Sequence, residues 1–342
     1  MILRDAVFHP SLFSWRPTIG SAFPLNHDHI YYFAYSRFSF YQGFKLLGLQ
    51  KPDAILIPEY ICHMAVLPAR YLGLEIVYYK INVDLSPDWD DIRRKLNSRV
   101  KAFLIVNYFG FPNDLLIAQQ FCKTNGLFFI EDNAHGFLSS FGDRPLGSFG
   151  DISVFSFYKT LPMPNGSALV INDKKILSKL PMVKLKNEGR DIKFFVKMML
   201  MRLRSVLPRN RLSSAKRYWK NIEKSHLSAY NNEDLERYFL RISWLSRLLL
   251  KHFLPLEEIQ RRLQNYESWL KFFDNYSTAR ILFPQLKQGV VPYVFPVWAD
   301  SPRDLILDLH RRGVESYPWP FLPKDSPEEY LSKHMVCLPV TS

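Results

Sequence analysis

Apolar residues in the first half of the chain come in short unbroken runs. Ala54–Pro58 (AILIP), Leu74–Lys80 (LEIVYYK), Ala102–Tyr108 (AFLIVNY), Leu127–Glu131 (LFFIE), Ile152–Phe157 (ISVFSF) and Ala168–Asn172 (ALVIN) each read as a strand. Runs of this kind suit strands buried on both faces of a mostly parallel sheet. Between some of them the pattern turns helical. Asp114–Asn125 (DLLIAQQFCKTN) follows a proline and an Asn-Asp start signal and stops before Gly126, as helices tend to. Ser39–Leu47 reads as a second helix. Strands alternating with helices predict an α/β domain.

The second half is different. Residues 184–275 show no convincing strand and read as helices joined by polar turns. From Pro292 a strand (YVFPVWA) returns, followed by a helix over Pro302–Arg312 and a stop at Gly313. Three parts are expected: a large α/β domain over 1–183, a helical connector over 184–260 and a small C-terminal α/β domain over 261–342. The closing CLPVTS follows an apolar run with no helix after it, which predicts that a C-terminal element is missing. The opening MILRDAVFHPSLFSW has no long apolar stretch of the kind a secretory signal carries. No run reaches the ~18 apolar residues of a membrane span. Cys62, Cys122 and Cys337 are far apart and form no paired motif, so neither a disulfide framework nor a zinc site is expected. Reduced thiols in the cytoplasm fit best.

Charge adds one feature. The 342 residues carry a formal net charge of +13. Between Arg190 and Lys220 stand ten basic residues and one acid, Asp191, so +9 of that charge sits in one segment. Within it, Ile192–Leu207 is apolar, with Lys193, Lys197 and Arg204 on one side of a helical wheel and Arg202 opposite. Such a segment reads first as an insertion with a solvated face. It could also dock on an anionic membrane surface, which would place the protein at the inner face of a membrane. No motif supports nucleic-acid binding, and no nucleic-acid partner is expected.

Open α/β sheets bind ligands at the carboxyl ends of their strands. Three such ends carry chemistry here: Asp132 and His135 after LFFIE, Ser156 and Lys159 after ISVF, and Asn107–Gly110 after the third strand. Carboxylate, imidazole, hydroxyl and amine could meet in one crevice. The spacing alone fits structural duties more readily than catalysis, with Asp132 as a helix N-cap and His135 as a core imidazole.

The wording of the segment changes that weighting. EDNAHGFLSSFGDRPLGSFGDISVFSFYKTLPMPNGSALVIND resembles the DegT/DnrJ/EryC1/StrS family of pyridoxal-phosphate aminotransferases. The shared pattern is an acidic pair after a strand, then Gly-Ser-Phe-Gly-Asp, then Phe-Ser-Phe with a lysine, then a glycine turn. It is specific over 54–173 and looser at NYFGFPND, YVFPVW, GVESYPW and CLPV. The resemblance implies the fold of type I PLP-dependent transferases: a mostly parallel central sheet flanked by helices, with a small C-terminal α/β domain. It implies pyridoxal 5'-phosphate as cofactor. The expected reaction moves an amino group from an amino-acid donor, glutamate, to a nucleotide-linked keto sugar, in surface polysaccharide or related sugar biosynthesis. A homodimer is expected as well.

By the same resemblance, Lys159 is the amine that takes the cofactor's aldehyde and later shuttles the α-proton. Asp132 pairs with the pyridine nitrogen and keeps it protonated. His135 hydrogen-bonds the ring hydroxyl or packs beside the ring. Ser156 donates its hydroxyl to the phosphate. A second phosphate contact falls at Ser36 and Arg37, where the family has a Ser-Gly-Thr turn at a helix N-terminus. Ser36 replaces the glycine and Arg37 the threonine, and arginine can grip a phosphate as a charged fork.

Other departures are plain. The lysine follows Ser156 by three residues, where many members have a longer spacing. Gly166-Ser167 stands for a Gly-Gly pair. Direct alignment puts Cys62 where an aromatic residue covers the ring, with Tyr60 and His63 as the other candidates. The partner-reaching Asn/Arg motif is not recognisable, and Thr341 stands in place of a histidine. These departures motivate a rival reading, a non-catalytic aminotransferase-like binding protein. The family's sugar 3-dehydratases replace the lysine by histidine, so Lys159 argues against them. The basic segment's field could also draw in an anionic nucleotide-sugar.

Overall fold

A computed structural model of the chain describes residues 10–16, 18, 22–179, 239–274, 276, 278–320 and 322–341, with the isolated positions 186, 191, 193, 194 and 196. Most of the basic segment Arg190–Lys220 lies outside the described residues. So do the expectations of membrane docking and of field steering that rest on it. Among the described residues no helix is long and apolar enough to cross a membrane.

The large domain runs β1 (Ile30–Phe33), α1 (Ser36–Leu46), β2 (Ala54–Pro58), α2 (His63–Tyr71), β3 (Glu75–Tyr79), α3 (Trp89–Lys95), β4 (Val100–Val106), α4 (Leu115–Asn125) and β5 (Phe128–Asn133). It continues through the two-residue strands β6 (Ser140–Phe141) and β7 (Arg144–Pro145) to β8 (Ile152–Ser156), the one-turn α5 (Phe157–Thr160) and β9 (Ser167–Ile171). Seven strands form one sheet in the order β1-β9-β8-β5-β4-β2-β3. From β8 to β3 the neighbours are parallel, while β9 and β1 are antiparallel at one edge. The five parallel strands therefore deliver their carboxyl ends to one side of the sheet.

The six apolar runs are all strands of this sheet. β2, β8 and β9 are buried at every position, which is why they lack alternation. β1 was not expected. It is a four-residue edge strand, half-buried at Ile30–Tyr32, and its pattern is too short to stand out. α1 starts at Ser36 and not at Ser39. α2 contains Pro68, a residue that ordinarily argues against a helix interior.

The C-terminal part is built from α6 (Trp244–His252), α7 (Pro255–Phe273), β10 (Ala279–Ile281), β11 (Val294–Ala299), α8 (Pro302–Arg311), β12 (Tyr317–Pro318), α9 (Leu331–His334) and β13 (Met335–Pro339). Its four strands form an antiparallel sheet, β10-β11-β13-β12. The final CLPV run is therefore an interior strand. α7 passes through position 260, so the boundary expected there falls inside one helix.

One buried carboxylate fixes the strand end that carries the site. Glu131, fully enclosed in β5, accepts the backbone N–H groups of Gly147 (2.9 Å), Phe149 (2.7 Å) and Gly150 (2.7 Å). The Gly-Ser-Phe-Gly loop thus wraps its amides around one acid. Gly147 has φ +93, and a Cβ there would lie 2.4 Å from the Phe155 ring, so the loop needs glycine at that point. Asp151 works similarly, accepting from Phe129 N–H at 2.7 Å. Burial pushes the Glu131 carboxyl upward, and the three amides pull it back. Glu131→Gln should destabilise the protein by about 3 kcal/mol, since an amide oxygen replaces a charged acceptor for buried donors. The readout is a lower denaturant midpoint at unchanged slope. A midpoint equal to the parent's would contradict the role.

Candidate active site

At the carboxyl ends of the parallel strands lies a cavity of about 120 Å³. Asp132, Ala134 and His135 line it from the end of β5, Tyr158 and Lys159 from α5, and Ser36 and Arg37 from the first turn of α1. Cys62 and Met64, at the start of α2, and Trp319, just beyond β12, close it. Five of the six predicted site residues, Ser36, Arg37, Asp132, His135 and Lys159, thus line one cavity.

The sixth, Ser156, does not. It ends β8 fully buried, is absent from the cavity lining, and its Oγ has no hydrogen-bond partner. Of the three ring-covering candidates only Cys62 reaches the cavity. Tyr60 is wholly buried and donates its hydroxyl to the Trp319 carbonyl at 2.6 Å. His63 is buried in the first turn of α2, outside the cavity lining.

The Lys159 Nζ lies 3.2 Å from His135 Nε2. Burial pulls the lysine's pKa down, but the acidic groups facing it (Tyr158, Tyr293, Cys62 and Asp132) outweigh that and hold it above its ordinary value. Burial, helped by the lysine's charge, pushes His135 well below the usual histidine range. An ammonium donates to Nε2 of an imidazole that carries its proton on Nδ1, whereas a neutral amine accepts from Nε2–H. Nδ1 is then left to accept the Phe109 N–H, 3.4 Å away.

Aromatic walls fix the imidazole plane. Tyr293 stacks on it at 4.5 Å between centroids and 7° between planes, Phe109 at 5.7 Å and 9°, and Trp319 meets it edge-on at 5.1 Å. Phe109 sits at φ +57, an uncommon conformation for a bulky residue. Gly110, at φ +92, has the Val291 carbonyl 2.4 Å from where a Cβ would be. The NYFG motif thus exists to press backbone and ring against His135.

Asp132 is buried and accepts the Ala134 N–H on Oδ1 at 2.9 Å. Burial pushes its pKa up, opposed by the charge on Lys159 and by that amide. The cavity is also lined by the N-terminus of the eleven-residue α1, where the helix dipole favours an anion. The Arg37 guanidinium packs there on Met64 and the Tyr35 ring. A carboxylate, an amine and a cationic helix end form a donor set that fits a pyridinium N–H, an aldehyde and a phosphate.

Sequence reasoning missed Phe109, Tyr158, Tyr293 and Trp319 as site residues. The signals were present in NYFG and in the C-terminal YVFPVW and GVESYPW pieces. Their convergence depends on long-range packing that spacing does not show.

This architecture is that of the type I fold of PLP-dependent transferases. The structure superposes on an aminotransferase, TlmJ from Streptoalloteichus hindustanus, with TM-score 0.63 at 19% identity, covering 91% of this chain and 80% of that one. Residues 41–206 match the DegT/DnrJ/EryC1/StrS aminotransferase family. It is 30% identical over 146 residues to a GDP-perosamine synthase of Vibrio cholerae, covering 42% of this chain and 39% of that protein. It is 32% identical over 133 residues to the GDP-perosamine synthase of Escherichia coli O157:H7, covering 38% and 36%. The matched stretches span less than half of these relatives' lengths.

The buried histidine makes a pH prediction. His135 is neutral in the folded state and titrates normally when unfolded, so below about pH 6.5 the unfolded chain binds the extra proton. Folding stability should therefore fall as pH drops through that value, by at most about 1.4 kcal/mol per pH unit from this group. His135→Gln should flatten this part of the profile in urea titrations between pH 7.5 and 5.5. An unchanged slope would contradict the assignment.

Proposed function

We propose that the protein is a PLP-dependent aminotransferase that moves an amino group from glutamate to a nucleotide-linked keto sugar. The observation that carries the reading is the Lys159 amine held against His135 in a cavity shared with Asp132 and capped by the N-terminus of α1. When bound, pyridoxal phosphate supplies an electrophilic aldehyde and a ring that accepts the electrons of a broken C–H bond.

The chain's own residues do the rest. The α1 dipole, with Ser36 and Arg37, would hold the phosphate end. Asp132 would hold the ring nitrogen and keep a proton on it. His135, clamped between Tyr293 and Phe109, holds the hydrogen bond to Nζ in either protonation state. Lys159 must lose its proton to act as a nucleophile, and as a neutral amine its Nζ can take the donor's α-proton and hand it on. Trp319 and Cys62 narrow the cavity around these atoms. The nucleotide-linked sugar class rests on the names of the matched relatives.

The test is a single half-reaction. With bound cofactor and no sugar, glutamate should release one equivalent of 2-oxoglutarate per chain. Lys159→Ala should slow this by ~10²-fold or more while thermal unfolding stays like the parent's. Release at the parent's rate from the folded variant would overturn the reading.

A further inference from the structure

We propose that Arg262, a fully buried arginine of α7 outside the cavity, is the positioning residue that aligns the Lys159–His135 pair. The proposal rests on the reading of Lys159 as the reactive amine. Arg262 is 1% exposed and Glu258, one turn earlier, 0%. Its Nε pairs with Glu258. Its other nitrogens reach three backbone carbonyls in two separate segments. Nη2 donates to Thr160 O at 2.9 Å, and Nη1 donates to Pro292 O at 2.9 Å and Tyr293 O at 3.1 Å.

Those carbonyls belong to the two sides of the reactive pair. Thr160 directly follows Lys159 and closes the one-turn α5 that carries it. Tyr293 supplies the ring stacked on His135 at 4.5 Å. One planar guanidinium therefore ties the turn bearing the amine to the wall bearing the imidazole. Its geometry is a rigid fork, which a lysine's single ammonium cannot copy. Burying an ion pair is a poor way to gain stability, since well-packed apolar residues of similar volume serve as well or better. A fork that spans two segments beside the reactive amine is what an apolar pair cannot supply. Arg261 shares Glu258 but points elsewhere, to the Thr341 carbonyl.

Two variants separate positioning from stability. Arg262→Lys keeps the charge toward Glu258 and loses the fork. The double variant Glu258→Leu/Arg262→Met removes both charges and should fold at least as well as the single changes, because no buried charge is left unpaired. Arg261→Lys is the control.

The first readout needs no cofactor. Protein freed of bound carbonyl compounds is reductively methylated with formaldehyde at a series of pH values, and labelling of Lys159 is followed by peptide mass. The groups facing Lys159 are His135, Asp132, Tyr158, Tyr293 and Cys62. With His135 displaced, the amine loses an acceptor for its proton. The midpoint of the profile should then move to lower pH by roughly half a unit or more in both Arg262 variants, and stay in place for Arg261→Lys. The second readout is the loaded enzyme, where kcat for glutamate should fall ~10²-fold with KM within about twofold.

If either Arg262 variant folds like the parent and keeps the parent's labelling profile and kcat, Arg262 is structural only and the proposal fails. If the parent binds no cofactor, the functional reading fails, while the labelling profile still decides whether Arg262 sets the Lys159 environment.

Discussion

The site depends on one contact, the 3.2 Å hydrogen bond between Lys159 Nζ and His135 Nε2. The lysine on α5 and the histidine after β5 come from adjacent strands of the parallel sheet, β8 and β5. Each needs its neighbours to stay in place. Glu131 draws the Gly147–Gly150 loop against the end of β5. Phe109, Tyr293 and Trp319 confine the imidazole. Asp132 balances the ammonium with a buried negative charge. A neutral imidazole beside an ammonium keeps the pair bonded whichever partner holds the proton, which suits an amine that must give up its proton and later take one back.

The two domains share this burden. The large domain supplies every titratable cavity residue except those of the aromatic wall. The C-terminal part supplies Tyr293 and Trp319. Beside aromatic contacts, polar ones join it to the large domain: Tyr60 donates to the Trp319 carbonyl, Ser326 to the Glu59 carbonyl, and Arg70 pairs with Asp325. Such hydrogen bonds fix geometry more than they add stability. They place the Trp319 ring where it limits access to His135.

Much of the large domain was legible because the parallel sheet is buried on both faces, and its strands print as apolar runs. The same logic misses β1, a half-buried edge strand, and α2, whose Pro68 hides a helix. Asp132, His135 and Lys159 could be read because they directly follow strands whose ends must converge. Ser156, the last residue of β8, is buried outside the cavity lining with its hydroxyl unpaired. Of the EDxAH acids, Glu131 is held by backbone amides inside the strand, and Asp132 lines the cavity. Arg262 was invisible in EEIQRRL, which reads as a solvated charged face until α7 is packed against the sheet.

The central claim is that Lys159, and no other lysine, is the amine of the site. It is tested by loading the protein with pyridoxal phosphate, reducing with borohydride and mapping the added mass by proteolysis. The account predicts one pyridoxyl group per chain, on the peptide containing Lys159. A pyridoxyl group on a different lysine, or none on well-folded parent protein, would contradict it.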